Sequence, residues 1–398
     1  MSISPGRTPR WASFAERRLV SLRLISILLL VAVAAGCDTV GSNGGGDVEA
    51  GVDLDALFAP ANRSEIDLAA GAWEGRDVSA REVSLVYEGE LTHAFAPDWA
   101  SDLRIYAHAV DGHTHYGAVI TPHSTQPSTQ HSSQHPVLLF LHGGDAGVRM
   151  DDVALALALL PEVRDEFVVV VPSFRSEPLV AGDQTYLSDG APSPWDRDVD
   201  DTLALLNVAL EVTPGADAER VVAVGFSRGG TVALLAAIRD GRIGGVASFS
   251  APTDFLGAYS RDLTRAMLRG NLPGLPGTRT IYETLLEPLQ ARQLAVSEVR
   301  VDLIRRSPVY FADRLPTVQI HHGMNDPIVP LAEAQQLVDA LERDALDGDA
   351  RGDDELGGAG RTSYEAYFYP SGGHDPLSLN GALDHLTTFL RQWTNLPA

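Results

Sequence analysis

The chain has 398 residues, with 30 basic and 53 acidic side chains that give a formal net charge of −23, and it contains no lysine. An acidic surface repels nucleic acid and anionic lipid headgroups, so neither is expected to bind the folded protein. Hydrophobic residues make up 44% of the sequence, which is ample for the packed core of a large domain.

Residues 1–36 have the pattern of a secretory signal peptide. Arg17, Arg18 and Arg23 precede the apolar run "LISILLLVAVAA", which is too short for a membrane-spanning helix. The segment runs into "AAGC", which resembles the lipobox of bacterial lipoproteins, and the resemblance implies that Cys37 becomes the lipid-modified first residue. The alternative is an ordinary signal peptide followed by an incidental cysteine.

Cys37 is the only cysteine, so the chain cannot form an internal disulfide and the thiol is free for acylation. We therefore expect an extracytoplasmic protein held by acyl chains on a bacterial membrane, in the periplasm or at the cell surface. The Gly- and Asp-rich residues 37–52 predict a flexible tether, and residues 53–398 are predicted to form a single domain.

The first part of that domain has the pattern of β-strands. Between Arg81 and Thr121, apolar or alternating stretches are separated by "DG" and proline. The following polar loop contains His123, His131 and His135, whose irregular spacing and lack of carboxylate neighbours favour a solvated loop over a metal site.

Strands and helices then alternate. Continuous apolar runs such as "PVLLFLHGG", "EFVVVVPSF" and "RVVAVGFS" are separated by helical segments, which is typical of a parallel sheet covered on both faces. The sequence therefore predicts an α/β fold with a mostly parallel, doubly wound sheet. Two insertions interrupt it: a helical one at 257–307, expected over the carboxyl edge of the sheet, and an acidic glycine-rich loop at 347–360.

The segment "VVAVGFSRGGTVALLAAI" places a serine between a strand and a helix. A turn this sharp lifts the hydroxyl of Ser227 above the sheet, as a nucleophile requires, although the Gly-x-Ser-x-Gly pattern alone is weak evidence in a glycine-rich chain. Trp195 and Tyr186 are candidates for lining an apolar pocket near it, or equally for ordinary packing.

Partners for this serine are expected at the carboxyl ends of other strands. Asp326 follows the predicted strand Thr317 to Gly323, and His374 follows the predicted strand Ser363 to Tyr369. The order Ser, Asp, His is that of the α/β-hydrolases, and it predicts a catalytic triad. Asp254, after another strand, is a rival acid, but the tight turn "HGMNDPIVP" favours Asp326.

An oxyanion formed at a carbonyl needs N–H donors. One is expected to be the backbone N–H of Arg228, which would act through its backbone more than through its charge. The second is assigned to the "LHGGDAG" turn, with Gly144 and Asp145 as the two candidates and Gly144 preferred. No metal and no organic cofactor is required by this chemistry.

Together, "DAERVVAVGFSRGG", "FSAPTDF", "SPVYFADRLPTVQIHHGMNDPIVP" and "YFYPSGGHDP" resemble the catalytic domain of the prolyl oligopeptidase family and its dienelactone hydrolase relatives, within the α/β-hydrolase superfamily. The resemblance covers the chain from about Arg104 to the C-terminus and implies a nucleophile, acid and base at Ser227, Asp326 and His374. The preceding residues are too few for a β-propeller, whose blades need about 40–45 residues each.

The resemblance implies a serine hydrolase that acts on a small ester or peptide substrate, and the missing propeller favours an ester. A serine peptidase of the aminopeptidase or oligopeptidase type is one alternative. The other is an inactive hydrolase fold that serves as a surface binding protein.

Overall fold

The computed structural model describes residues 46–123, 134–351, 363–394 and 396. The predicted signal peptide, Cys37, His131 and residues 352–360 of the acidic loop lie outside these residues. All described residues belong to one compact unit, Gly44–Ala398.

The strands, in chain order, are β1 (Val48–Glu49), β2 (Val52–Asp53), β3 (Arg81–His93), β4 (Ala96–Val110), β5 (His113–Pro122), β6 (His135–Leu141), β7 (Val148–Arg149), β8 (Val168–Pro172), β9 (Pro178–Ala181), β10 (Gln184–Leu187), β11 (Ala216–Phe226), β12 (Ile243–Phe249), β13 (Thr317–Gly323) and β14 (Tyr364–Tyr369). The main sheet has the order β14-β13-β12-β11-β6-β8-β5-β4-β3. Its strands run parallel from β14 to β8, and β5, β4 and β3 join antiparallel at one edge. The predicted mostly parallel sheet is confirmed.

The helices, in chain order, are α1 (Leu54–Leu57), α2 (Arg63–Glu74), α3 (Met150–Ala158), α4 (Arg197–Val212), α5 (Arg228–Arg239), α6 (Ala258–Leu268), α7 (Thr278–Ile281), α8 (Glu287–Gln290), α9 (Val296–Arg305), α10 (Leu331–Arg351) and α11 (Ala382–Arg391). A π-helical turn, Tyr282–Leu286, joins α7 to α8. The predicted helical insertion therefore corresponds to α6 through α9. No helix in the described part of the chain is long and apolar enough to cross a membrane.

Side chains of the parallel strands contribute to two hydrophobic cores, one on each face of the sheet. In β6, Val137 and Leu139 belong to one core and Leu138 belongs to the other, because successive side chains of a strand point to opposite faces. The sequence "VVVVP" of β8 is buried at every position, as expected for a strand covered on both sides. The apolar runs in the sequence thus reflect burial on two faces.

Two predicted boundaries differ from the structure. α10 continues to Arg351, into the segment predicted as an acidic loop, although Asp347, Gly348 and Asp349 are weak helix formers. The end of the predicted tether is also ordered: β1 and β2 pair as a short hairpin. Composition alone suggested flexibility there.

Ion pairs attach this hairpin region to α6. Asp47 binds Arg261 at 2.5 Å and also pairs with Arg265, and Glu49 binds Arg269 at 2.8 Å. The arginines lie more than two hundred positions further along the chain. Asp47 and Glu49, which the sequence predicted to lie in a flexible tether, therefore have specific basic partners in the fold.

Arg300 of α9 forms a more buried attachment to the same N-terminal region. Its guanidinium binds Glu65 of α2 through two bonds of 2.7 and 2.8 Å. It also donates to the carbonyl oxygens of Leu57 at 2.8 Å and Ala59 at 2.7 Å, just after α1. One side chain thus satisfies both a carboxylate and the carbonyl groups at a helix C-terminus.

We expect Arg300→Met to lower the free energy of unfolding by about 2–3 kcal/mol, because it removes the charged partner of Glu65 and the donor to these carbonyl groups. The matched control is Arg63→Met, which removes an ion pair to Asp67 whose side chains are 75% and 55% exposed. That change should cost about 0.5 kcal/mol or less. Urea unfolding measures both, and equal losses in the two variants would contradict this account.

Candidate active site

Ser227 lies in the turn between β11 and α5 with backbone angles φ 53° and ψ −118°. A positive φ is strained for a residue with a side chain, and strain of this kind persists only where the surroundings impose it. The turn leaves no space for bulk: a Cβ on Gly229 would lie 2.1 Å from the carbonyl oxygen of Leu141 in β6. The sharp strand-to-helix turn predicted for Ser227 is therefore present.

The predicted triad residues lie within hydrogen-bonding distance of one another. His374 Nε2 is 3.1 Å from Ser227 Oγ, and His374 Nδ1 is 2.8 Å from Asp326 Oδ2. A carboxylate only accepts hydrogen bonds, so Nδ1 carries the proton and donates to Asp326. Nε2 is then free to accept the hydrogen bond of the serine hydroxyl.

Asp326 is held in place by its own turn. Its Oδ1 accepts hydrogen bonds from the backbone N–H groups of Ile328 at 2.8 Å and Val329 at 2.9 Å. Burial raises the pKa of Asp326, but the hydrogen bonds and charge of its neighbours, His374 first, outweigh burial and leave the pKa below its ordinary value. The carboxylate therefore stays ionised beside the imidazole.

The rival acid Asp254 has other partners. Its Oδ1 accepts hydrogen bonds from the N–H of Leu256 at 2.9 Å and from the hydroxyl of Tyr310 at 3.0 Å. Burial raises the pKa of Asp254. His374 Nδ1 bonds to Asp326 instead, so Asp326 is the acid that the structure brings to the histidine.

The glycine turn after β6 packs directly against Ser227. A Cβ on Gly143 would lie 2.9 Å from the carbonyl oxygen of Phe226 and 3.2 Å from Ser227 Cβ. Gly144, the next residue, has a φ of 77°. On the other side of the serine, the first N–H groups of α5 have no acceptor within the helix. The predicted oxyanion donors, Arg228 and Gly144, thus belong to the two segments that meet at Ser227.

The side chain of Arg228 has a larger role than the sequence indicated, because its charge was expected to matter less than its backbone. The guanidinium is buried and binds Asp198 through bonds of 2.7 and 2.8 Å. It donates to the carbonyl oxygen of Gly144 at 3.1 Å and also pairs with Glu177. The arginine next to the serine therefore fixes the opposing glycine turn. Asp198 and Glu177 were missed, since only the fold brings them to Arg228.

One guanidinium faces two carboxylates here, which leaves an excess negative charge in a buried site. Burial, reinforced by the charge of Asp198, outweighs the attraction of Arg228 and raises the pKa of Glu177 to about 7. Nearby, burial lowers the pKa of His142 to about 4, so its imidazole is neutral. Glu177 is thus the group of this cluster that titrates near neutral pH.

An open, mainly apolar pocket adjoins Ser227. It is lined by Trp195, Phe255 and residues of the helical insertion. Tyr186, the other aromatic candidate, instead packs against Tyr116 with ring centroids 5.4 Å apart. The insertion therefore forms the wall of the pocket beside the serine.

His123 and His135, from the histidine-containing segment that was considered as a metal site, each contact a different group of the protein. His123 lies 3.4 Å from Asp102, and His135 Nδ1 lies 3.0 Å from the carbonyl oxygen of Glu166. Among the residues that the structure describes, no group of three or more His, Cys, Asp or Glu side chains is arranged to hold a metal ion.

Comparisons with known proteins agree with the architecture. The sequence model of the family described as "Alpha/beta hydrolase family" matches residues 138–380. Acetyl xylan esterase 1 from Thermoanaerobacterium sp. JW/SL YS485 has a similar structure, with 19% identity and a TM-score of 0.54 over 86% of this chain and 99% of that chain. These findings confirm the predicted α/β-hydrolase fold.

Two further solved structures are similar. An acetyl xylan esterase from Paenibacillus sp. R4 has 15% identity and a TM-score of 0.50, over 85% of this chain and 98% of that chain. A puromycin-hydrolyzing peptidase from Mycobacterium tuberculosis has 16% identity and a TM-score of 0.49, over 78% of this chain and 39% of that chain. No curated protein matches the sequence.

The raised pKa of Glu177 predicts that the free energy of unfolding depends on pH. Its pKa is about 7 in the folded protein against an ordinary value of 4.5, so the folded state binds the proton more tightly. Glu177 therefore stabilises the fold below about pH 4.5, and this contribution is lost as the pH rises through 7. We expect Glu177→Gln to match the wild type at pH 4 and to exceed its free energy of unfolding by about 3 kcal/mol at pH 8.

Urea unfolding of both proteins across this pH range measures the difference. Asp201, whose pKa burial also raises to about 7, is unchanged in the variant and supplies the same background slope in both proteins. Stability curves that run parallel from pH 4 to pH 8 would rule out an excess buried charge at Glu177.

Proposed function

The chain belongs to the α/β-hydrolase family, and on that premise we propose that it is a serine hydrolase that cleaves an ester or amide through an acyl-serine intermediate, with an ester favoured. The observation that carries the proposal is the continuous hydrogen-bonded series Ser227, His374, Asp326. It combines a nucleophile, a base and an acid that orients the base, at a strained turn beside an open pocket.

In this mechanism, the hydroxyl oxygen of Ser227 attacks the substrate carbonyl while His374 Nε2 takes its proton. The resulting imidazolium is stabilised by Asp326, whose carboxylate stays ionised. His374 then donates the proton to the leaving group as the tetrahedral intermediate collapses to the acyl-serine. A water molecule, deprotonated by the same nitrogen, releases the acid and restores the serine.

The negative charge of each tetrahedral intermediate requires preorganised donors. We assign these to the backbone N–H groups of Arg228 and Gly144, because their segments converge on Ser227 from opposite sides. A single donor of this kind contributes about 3 kcal/mol to transition-state stabilisation in hydrolases. The guanidinium of Arg228 supports the arrangement by holding the carbonyl group of Gly144.

An ester substrate is favoured over a peptide with a free N-terminal ammonium group by the charges in the pocket. An aminopeptidase needs a carboxylate to hold the substrate ammonium group. Of the residues that line the pocket in the described part of the chain, Arg228 alone is charged at neutral pH, and its charge is neutralised by buried carboxylates.

The alternative of an inactive binding protein is not favoured. Such a protein would gain nothing from keeping the three triad side chains within hydrogen-bonding distance of one another.

Reaction with a fluorophosphonate probe tests the nucleophile. We expect the wild-type protein to be labelled and Ser227→Ala to show no labelling above background, because the probe bonds only to an activated serine. Ser363→Ala is the matched control: Ser363 precedes β14 and its hydroxyl donates a hydrogen bond to that of Thr317 at the start of β13, so labelling should persist. Failure of the folded wild-type protein to react would favour the inactive binding protein.

The same assay separates the two candidate acids. Asp326→Asn should slow labelling by a factor on the order of 10⁴, because the asparagine amide favours the wrong imidazole tautomer. Asp254→Asn should change the rate by less than about tenfold, since its hydrogen bonds are to Leu256 and Tyr310. The opposite ranking would transfer the acid role to Asp254.

We also propose that acylated Cys37 anchors the enzyme to a bacterial membrane outside the cytoplasm. Support comes from the sequence pattern "AAGC" and from the absence of any other cysteine. We expect the wild-type protein, expressed in a bacterium, to incorporate an alkyne-tagged fatty acid and to sediment with membranes. Cys37→Ala should lose both properties and keep esterase activity; tagging that persists in the variant would exclude this anchor.

A further inference from the structure

The pocket beside Ser227 is built mainly from apolar side chains. They come from the loops after β12 and β13, the segment before α4, and the helical insertion. The principal ones are Trp195, Phe255, Leu263, Met267, Ile281 and Leu303. A small molecule that enters this pocket exchanges water for hydrocarbon on most sides.

Three hydroxyl groups in the wall, those of Tyr259, Ser260 and Thr278, already donate to acceptors within the protein. Tyr259 donates to the carbonyl oxygen of Ile328 at 2.6 Å, and Thr278 donates to that of Leu275 at 2.7 Å. Burying a sugar or peptide here would remove its polar groups from water without offering equivalent partners. That exchange costs roughly 1–3 kcal/mol for each group left unpaired.

The wall is held from behind by the N-terminal region. Leu263 and Met267 of α6 line the pocket, whereas Arg261 and Arg265 lie on the opposite side of the same helix and bind Asp47. The side of α6 that lines the pocket is therefore fixed in position before any substrate arrives. An apolar pocket that is already formed binds an apolar group at low cost in ordering.

From these observations we propose that the substrates are uncharged esters that carry an apolar chain or ring of several carbons, which binds between α6 and Ile281. This inference rests on the proposed function, since it takes Ser227 as the nucleophile. The apolar group belongs either to the acyl part or to the alcohol part of the ester. Both have the same chemistry, and the experiment below separates them.

Two series of esters at fixed pH test the proposal. In the acyl series, p-nitrophenyl esters run from acetate to octanoate; in the alcohol series, acetates run from ethyl to octyl. In one series we expect kcat/KM to rise about fourfold for each added methylene until the pocket is filled, as burial of hydrocarbon requires. The series that responds identifies the part of the ester that binds, and a flat response in both would overturn the proposal.

A variant locates the effect in the pocket. Leu263→Trp fills part of the space beside α6. In the series that responds, it should reduce the ratio of kcat/KM for the six-carbon ester to that for the shortest ester by at least tenfold. The matched control is Asp262→Trp, which adds the same bulk at a side chain that is 76% exposed, and its ratio should equal that of the wild type. Equal ratios in Leu263→Trp and the wild type would overturn the proposed pocket.

The outcomes distinguish the proposed apolar substrate class from the proposed serine hydrolase function on which it rests. If the wild type reacts with fluorophosphonate at Ser227 but prefers acetylated sugars or aminoacyl nitroanilides over the longer esters, the serine hydrolase stands and the apolar substrate class is wrong. If Ser227 does not react, both proposals fail.

Discussion

The packed turn between β11 and α5 is the constraint on which the site depends. Ser227 occupies a positive-φ conformation that costs on the order of 1–3 kcal/mol, and neighbouring strands supply the restraint. Its N–H donates to the carbonyl oxygen of Phe249 in β12 at 2.7 Å, and Gly229 contacts the end of β6. Because β11 lies between β6 and β12, both neighbours hold the turn at once.

Buried charged side chains also hold the segments of the site together. The guanidinium of Arg228 connects the first turn of α5 to the glycine turn after β6 and to carboxylates from two other segments. An arginine suits this position because its planar group makes paired bonds to a carboxylate while keeping a further donor for a carbonyl group. The segments proposed to hold the oxyanion are thus connected through one side chain, and the accompanying excess of negative charge appears in the raised pKa of Glu177.

Much of this site was predictable from the sequence because its parts are local. Ser227, Asp326 and His374 each follow a strand that the apolar pattern marks, and parallel strands bring their carboxyl ends to one edge. The partners of Arg228 were not predictable, since Glu177 and Asp198 are distant in the sequence and have no distinguishing local pattern. The ordered residues around Asp47 were missed for the same reason: a short acidic segment looks like a linker until its arginine partners are known. The insertion was recognised as helical, but which of its faces lines the pocket depends on packing.

The central claim is that Ser227 attacks a carbonyl whose apolar substituent enters the pocket beside α6. The most direct measurement is a crystal structure of the protein inactivated by O-hexyl hexylphosphonofluoridate, which carries one hexyl chain on phosphorus and one on oxygen and loses fluoride. We predict phosphorus bonded to Ser227 Oγ, a phosphoryl oxygen within hydrogen-bonding distance of the Arg228 and Gly144 N–H groups, and one of the two hexyl chains against Leu263 and Met267. A phosphonyl group on another residue, or both hexyl chains directed into solvent, would contradict the account.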